Sequence, residues 1–317
     1  MGSAKIDYAT SLAADVLQAF DDLNGPQPGY RPAHAKGILL SGLFRPSPEA
    51  PSLTRAPHVQ RDSTPVWVRF SDFAGIPAIP DNDPNASPHG IAIRFYLAEH
   101  VHTDIIAHSV DGFPVRTVED FLEFLRAVHA SGPDAAKPSP VEQFLGAHPA
   151  ALEFVQAPKP MPASFAKAAY YAVNAYQFTN AGGVSRYGRY RIRPDGDAES
   201  LDPAAVAKAA PGMLFEEIES RVAAGPVKMR IAVQVAAQED VVNDSTVHWP
   251  AGRPEIAFGT VEITGIVPDN DAEQRHVIFD PIPRVDGIAP SDDPLLDPRA
   301  TIYLMSGRRR RHPPNSR

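Results

Sequence analysis

Three side chains near the end of the chain have types and a spacing that could do chemistry together. They are Arg299, Tyr303 and Arg310. Pro298 pre-sets φ for a first helical turn, and Asp297 just before it can cap the free N–H groups. At about 100° per residue the spacing predicts a helix carrying all three on one narrow wedge. A guanidinium one turn from a phenol stabilises the phenolate, and a phenolate on a helix face is a candidate metal ligand. The same pattern also suits a boundary aromatic beside a solvated basic end, Arg308–Arg311. Far upstream, His34 follows Arg31 by three residues, where an extended arm meets a strand. A single histidine there reads by default as a buried, satisfied one. In Pro65–Ser71, alternation puts Val66, Val68 and Phe70 on one face and Trp67, Arg69 and Ser71 on the other. Arg69 beside Ser71 is a second polar site, or else a solvated strand face.

The elements that must position these residues follow from periodicity. Residues 4–20 have an apolar helical rhythm, and 25–33 form a Pro- and Gly-rich extended arm. Strands are predicted at Lys36–Phe44, Pro65–Ser71 and Gly90–Leu97 and near Asp104–His108. Helices follow at Val118–His129, at Val141–Ala157 with a break near Pro149, and at Ala163–Ala172. Strands return at Val173–Thr179 and Arg186–Arg193, joined by Asn180-Ala181-Gly182-Gly183, a hairpin signal. Ala204–Ala224 reads as helix broken at Pro211, and Val227–Ala236 and Ala257–Val267 as strands. Antiparallel strands interrupted by helices point to an α+β fold with a barrel or curved sheet, in one domain over 1–317.

Composition excludes several function classes. The net charge of −8 argues against nucleic acid or an anionic membrane as main partner. No apolar run reaches the about 18 residues of a membrane span, and no basic segment precedes an apolar one as in a signal peptide. The expected compartment is the cytoplasm, or the periplasm if a leader was removed ahead of Met1-Gly2-Ser3. With no cysteine there can be no disulfide, thiolate ligand or cysteine nucleophile. Proline, at 34 of 317 residues, is about twice as frequent as usual and predicts long ordered loops. Asp81-Asn82-Asp83-Pro84-Asn85 lacks the Gly and distal Glu of a calcium loop and reads as a turn.

Five stretches in order resemble haem catalases. They are Arg31-x-x-His34-Ala35-Lys36-Gly37, Val68-Arg69-Phe70-Ser71, Gly90 to Tyr96, Val173 to Phe178 with Arg189-Tyr190-Arg191, and Phe279-Asp280-Pro281 through Arg299-x-x-x-Tyr303. The resemblance runs from about residue 25 to 311, and the short length is similar to the catalase-related peroxidases, or mini-catalases. It implies a catalase-like antiparallel β-barrel with surrounding helices, holding one haem b. It implies Tyr303 as the iron ligand, a position for which tyrosine is the catalase choice, with Arg299 donating to its oxygen. His34 would be the distal acid–base, oriented by Ser71, and Arg31, Arg69 and Arg310 would hold the propionates. Phe113 matches an aromatic near the distal haem edge. The implied reaction is reduction of hydrogen peroxide or organic hydroperoxides through a ferryl species, with a second peroxide or an organic electron donor as reductant.

The chain departs from the family's pattern in places. Where the family keeps a distal Asn, counting from Asp104 gives His108, with Ser109 next. Three roles stay open for His108: sharing the work of that Asn, pointing away, or a structural one. Thr301 and Met305 replace the Phe and Asp that flank the family's tyrosine. Without a long N-terminal arm or C-terminal helical domain, peroxidase activity is expected to outweigh catalase activity, and a monomer or homodimer is expected. The alternatives are a fatty-acid hydroperoxide isomerase like the allene-oxide-forming relatives, a non-enzymatic haem carrier, and a lipocalin-like barrel for an apolar ligand.

Overall fold

A computed structural model of the chain describes residues 2–312, with side chains from residue 8 onward. It begins with helix α1 (Gly2–Asn24). Gly25, at φ 71°, takes the left-handed turn that ends this helix before Pro26. Strands β1 (Gly37–Pro46), β2 (Thr64–Ser71), β3 (Gly90–Ala98) and β4 (Val101–His108) form an antiparallel meander, with short helix α2 (Ala50–Leu53) after β1. Helices α3 (Val118–His129), α4 (Pro140–Ala147) and α5 (Pro149–Gln156) follow. Thr117 caps α3 by accepting from the Asp120 N–H at 3.1 Å.

Strands β5 (Tyr170–Tyr171), β6 (Tyr176–Thr179) and β7 (Ser185–Pro194) come next, then α6 (Pro203–Lys208), α7 (Met213–Ala224), β8 (Val227–Val235) and β9 (Glu255–Ile266). The sheet order β7-β5-β4-β3-β2-β1-β9-β8, together with β7 pairing to β8, closes a barrel. Strand β6 and the short β10 (Ile288–Pro290) extend the sheet from β7. Helix α8 (Asn270–His276) precedes β10, and α9 (Leu296–Arg311) is the last element.

Alternation divides each strand of the meander between two environments. Val66, Val68, Phe70, Ile91, Ile93 and Phe95 point into the barrel and join Phe44, Tyr170, Phe178 and Phe258 in the main core. Burying each such side chain stabilises the fold by about 1.5–3 kcal/mol. The opposite faces look outward onto a layer of helices. Leu12, Val16, Leu17 and Phe20 of α1 pack there with Val118, Leu122 and Leu125 of α3 and Ile302 of α9.

Two expectations are corrected. Ala163–Ala172 is not a helix. It forms a 3-10 turn at Phe165–Lys167, whose Ala166 N–H Ser164 caps, and then strand β5. Tyr170 is fully buried there and donates to the Phe165 carbonyl at 2.8 Å, so core burial overrides the helical preference of the alanines. Asp297 does not cap α9 but lies exposed in its first turn. The N-cap position is Leu295, without a side-chain cap, and Asp293 Oδ1 accepts from the Leu295 N–H at 3.0 Å in the turn that leads into the helix.

Candidate active site

The outward face of β2, β3 and β4 makes one wall of a cavity, through Arg69, Ser71, Gly90, Ala92, Ile106 and His108. Helix α9 makes another, through Arg299, Ile302, Tyr303, Ser306 and Arg310. Val16 and Phe20 of α1, Phe113, and Val118 and Phe121 of α3 also line it, with Phe73 and Phe154. Counted with the open solvent at its mouth, the space is about 1340 Å³.

His34 sits at the strand end of this cavity with φ 57°, a left-handed conformation that costs a non-glycine residue about 1–2 kcal/mol. The unusual backbone brings its ring onto Ser71, with His34 Nδ1 and Ser71 Oγ 3.0 Å apart. Phe73 meets the ring edge-on at 5.4 Å. Gly90 lies under both groups, since a Cβ there would stand 2.8 Å from His34 Nδ1 and from Ser71 Oγ. Although partly open to the cavity, His34 lies deep in the protein. Burial, then the charge of Arg69, pulls its pKa down to about 3, so it is a neutral base at ordinary pH.

His108 stands across from Gly90 in the β3–β4 ladder and also lines the cavity. Its Nδ1 accepts from the Val110 N–H at 3.4 Å, which leaves the proton of the neutral ring on Nε2. That Nε2 is buried without a partner. Burial, then Arg299, lowers the ring's pKa to about 4. Ser109 turns to the other side, where its Oγ accepts from the His89 N–H at 3.0 Å.

Three arginines converge at another edge. The Val277 carbonyl accepts from Arg31 Nη2 at 3.1 Å and from Arg310 Nη2 at 2.8 Å. Arg69 donates from Nε to Gln274 Oε1 at 2.8 Å and from Nη2 to the His34 carbonyl at 2.9 Å. Gly37 clears the space for its guanidinium, because a Cβ there would stand 2.2 Å from Nη2. None of the three has a carboxylate partner among the described residues, and Arg310 Nε is buried without any partner. Burial lowers all three; the charges of Arg69 and Arg310 lower Arg31 further, that of Arg310 helps bring Arg69 to about 9, and that of Arg311 helps bring Arg310 to about 10. Such a group calls for anions that are missing from the chain itself.

On α9, Arg299 Nη2 donates to the Tyr303 phenol oxygen at 3.1 Å. Burial is the largest effect on the Arg299 pKa and would lower it, but Tyr303, together with Tyr176 and Asp293, raises it. The other arm of Arg299 donates to Asn174 Oδ1, and Asn174 Nδ2 donates to Asp293 Oδ2 at 2.8 Å. Tyr303 therefore ends a chain of four side chains whose far half, Asn174 and Asp293, is buried.

Sequence reasoning named His34, Ser71, His108, Arg31, Arg69, Phe113, Arg299, Tyr303 and Arg310, and all nine line this cavity. It missed Asp293 and Gln274, and it quoted Asn174 without giving it a role. Only Asn174 lay in a recognisable motif, and helix α8, which carries Gln274, was not predicted.

The catalase family model matches residues 12–316. The chain belongs to the catalase family. Catalase-related peroxidases of Mycolicibacterium paratuberculosis and Synechococcus elongatus are 33% and 29% identical to it, over 92% and 96% of this chain and 92% and 91% of theirs. A fungal catalase structure superposes with a TM-score of 0.80 at 21% identity, over 90% of this chain and 60% of that one. Family membership implies haem. The residues present fit it: a phenol for iron, uncompensated guanidinium groups for two carboxylates, and a space between them.

Proposed function

We propose that the protein is a haem peroxidase of the catalase family, reducing hydrogen peroxide or organic hydroperoxides with an organic electron donor. One observation carries this reading. Two buried arginines and a half-buried one, none with a carboxylate among the described residues, share a cavity with an arginine-paired phenol and a serine-oriented neutral histidine. With no cysteine for thioether attachment, the haem would be held non-covalently, as haem b is.

Tyr303 would hold the iron as phenolate, and the hydrogen bond from Arg299 would stabilise its negative charge. Arg31, Arg69 and Arg310 take the propionates as charge-assisted forks. Bound haem supplies a redox-active iron that exchanges two electrons with a peroxide. His34, kept neutral, would take a proton from one peroxide oxygen and return it to the other as that oxygen leaves. Ser71 holds the ring that makes both transfers, and His108 offers its Nε2–H as a donor nearby. The mostly apolar distal wall, with Phe73, Phe113 and Phe154 and, among the described residues, no carboxylate, suits an organic hydroperoxide as well as hydrogen peroxide.

Peroxidase activity is expected to exceed catalase activity, because a histidine stands where a second peroxide would otherwise be held. The whole chain acts as one haem domain, as a monomer or homodimer. None of its helices is long and apolar enough to cross a membrane, among the described residues. The test is the absorption spectrum of the haem-loaded protein, read with Tyr303→Phe and with dye oxidation against oxygen evolution. The expected spectrum is that of ferric haem with phenolate ligation, lost in Tyr303→Phe. An unchanged spectrum at full haem content in the variant would overturn the assignment.

A further inference from the structure

The three groups that meet at the distal site are each one or two residues from a member of a second cluster. His34 precedes Lys36, Ser71 precedes Asp72, and Gly90 follows His89. In the ladder, Gly37, Ser71, Gly90 and His108 form one cross-strand row. Continuing each chain by one residue gives Lys36, Asp72, His89 and Ser109, linked by Asp72 N–H to the Lys36 carbonyl at 3.2 Å and Ser109 N–H to the His89 carbonyl at 2.9 Å. Alternation sends the first row into the cavity and the second to its back.

The back row is a buried polar cluster. Asp72 Oδ1 lies 3.0 Å from His89 Nδ1, and its Oδ2 lies 3.7 Å from Lys36 Nζ with no hydrogen-bond partner. Lys36 Nζ also donates to Asp81 Oδ1, to the Ile79 carbonyl at 2.7 Å and to the Pro211 carbonyl at 2.9 Å. The other Asp81 oxygen accepts from the Leu214 N–H at 2.6 Å. His89 meets Phe165 edge-on, and Lys36 sits over the Phe215 ring. Asp72 and His89 are 0% and 1% exposed. None of these groups lines the cavity.

We infer that Asp72, held between Lys36 and His89, is a positioning residue for His34. The cluster ties together from behind the three chain segments whose front sides carry His34, Ser71 and Gly90. His34 needs such support, because its left-handed backbone is held in part by hydrogen bonds to this same segment. The His34 N–H donates to the Phe73 carbonyl at 2.6 Å and the Ala35 N–H to the Ala74 carbonyl at 3.0 Å. Asp72 stands directly between these bonds and Ser71. Loosening Asp72 moves Ser71 Oγ relative to His34 Nδ1, and an error near 1 Å in a proton-transfer group costs about 10²-fold in rate.

The inference rests on the reading of His34 given above, and the experiment separates the two. Cyanide enters as HCN and must leave its proton on a base beside the iron. Its association rate thus reports the position of His34 without O–O cleavage. Haem content, cyanide association and peroxide reaction would be measured for the holoenzyme, Asp72→Asn, His34→Ala and the double variant. Asp72→Asn should keep its haem and slow both reactions per haem by roughly 10- to 100-fold. In the His34→Ala background it should add nothing. Wild-type rates in Asp72→Asn would overturn the positioning role, as would an equal further loss in the double variant. Wild-type rates in His34→Ala would instead overturn the reading of His34. Should Asp72→Asn not retain haem, His89→Phe carries the same cycle, because it removes one arm of the cluster and leaves Lys36 paired.

Discussion

Gly90→Ala is the sharpest single-atom perturbation of the distal site. The added Cβ would stand 2.8 Å from His34 Nδ1, 2.8 Å from Ser71 Oγ and 2.9 Å from His34 Cε1. Carbon contacts become comfortable near about 3.5 Å, so each group must retreat by about 0.7 Å. Both are side-chain atoms, and backbone need not move. Overpacking costs about 1–3 kcal/mol, and replacing a strand glycine by alanine returns about 0.5–1 kcal/mol. The net loss of stability is therefore small beside the effect on chemistry. A methyl wedged under a 3.0 Å hydrogen bond separates its two ends, and His34 loses both its orientation and its place. We expect haem content within error of wild type and a peroxide reaction, followed by stopped-flow absorbance, slower by about 10²-fold. Gly132→Ala is the control, since nothing stands within 4 Å of its Cβ position. A Gly90→Ala rate within about threefold of wild type would show that His34 tolerates displacement, and the positional argument of both the site and the cluster behind it would fail.

The remaining predictions concern charge and support. Arg310→Leu should weaken haem retention by about 2–5 kcal/mol, the usual cost of removing one partner of a buried charge pair, while leaving the melting temperature of the haem-free protein unchanged or higher. Equal melting-temperature losses with and without haem would sink that reading of the arginines. Asn174→Ala should alter the visible spectrum of the haem-loaded protein by freeing one arm of Arg299, and an unchanged spectrum would remove Asn174 from the proximal chain. Acid should destabilise the fold through its buried histidines. Burial depresses His34 and His58 to about 3 and His108 to about 4, so the unfolded chain binds more protons below about pH 6.5 and stability falls with pH from there toward 4. At pH 5 each neutral ring costs about 2 kcal/mol, against a total stability of about 5–15 kcal/mol. His58 packs among Phe44, Phe95 and Phe258 outside the cavity. Urea unfolding of His58→Phe between pH 7 and 5 should lose about a third less than wild type, and equal slopes would refute the assignment.

Much of this site was legible because it lies on regular elements with regular periods. Arg299 and Tyr303 face one way because they are one helical turn apart, and Arg69 shares a face with Ser71 because strands alternate. The segments Lys36–Phe44 and Val118–His129 were likewise readable from their apolar pattern alone. What escaped depends on contacts across long stretches of chain. Asn174 and Asp293 are 119 residues apart, and Gln274 reaches Arg69 across 205. The left-handed backbone of His34 leaves no composition signal, since glycine and not histidine marks such positions. Tyr170 turned an alanine-rich stretch into a strand through burial that propensity does not weigh. His108 and Ser109 could not be separated by counting, but pairing of β3 with β4 decides between them: Gly90 opposes His108, so Ser109 falls on the back.

That pairing also explains why a closed barrel suits this chemistry. The row that faces the cavity and the row of buried charged groups behind it differ by a single residue on each strand. Slipping β2 or β3 by one position would turn Asp72 or His89 toward the haem space and bury Ser71 against Phe165 and Phe215. An open sheet holds its register through the hydrophobic contrast between its faces. Here that contrast is weak at the strand ends, because both faces carry polar groups. The cross-strand pairing from β1 to β4, closed into a ring through β7 and β8, supplies the constraint from elsewhere. A strand in a closed ring cannot shift without changing the stagger of the whole barrel. The large apolar side chains inside the barrel, Phe70, Phe95 and Tyr170 among them, make that change costly. The core therefore acts on function through register. It fixes which side of each strand end meets the cofactor space, and so lets histidine, serine and arginine stand on a wall that few sequence positions specify directly.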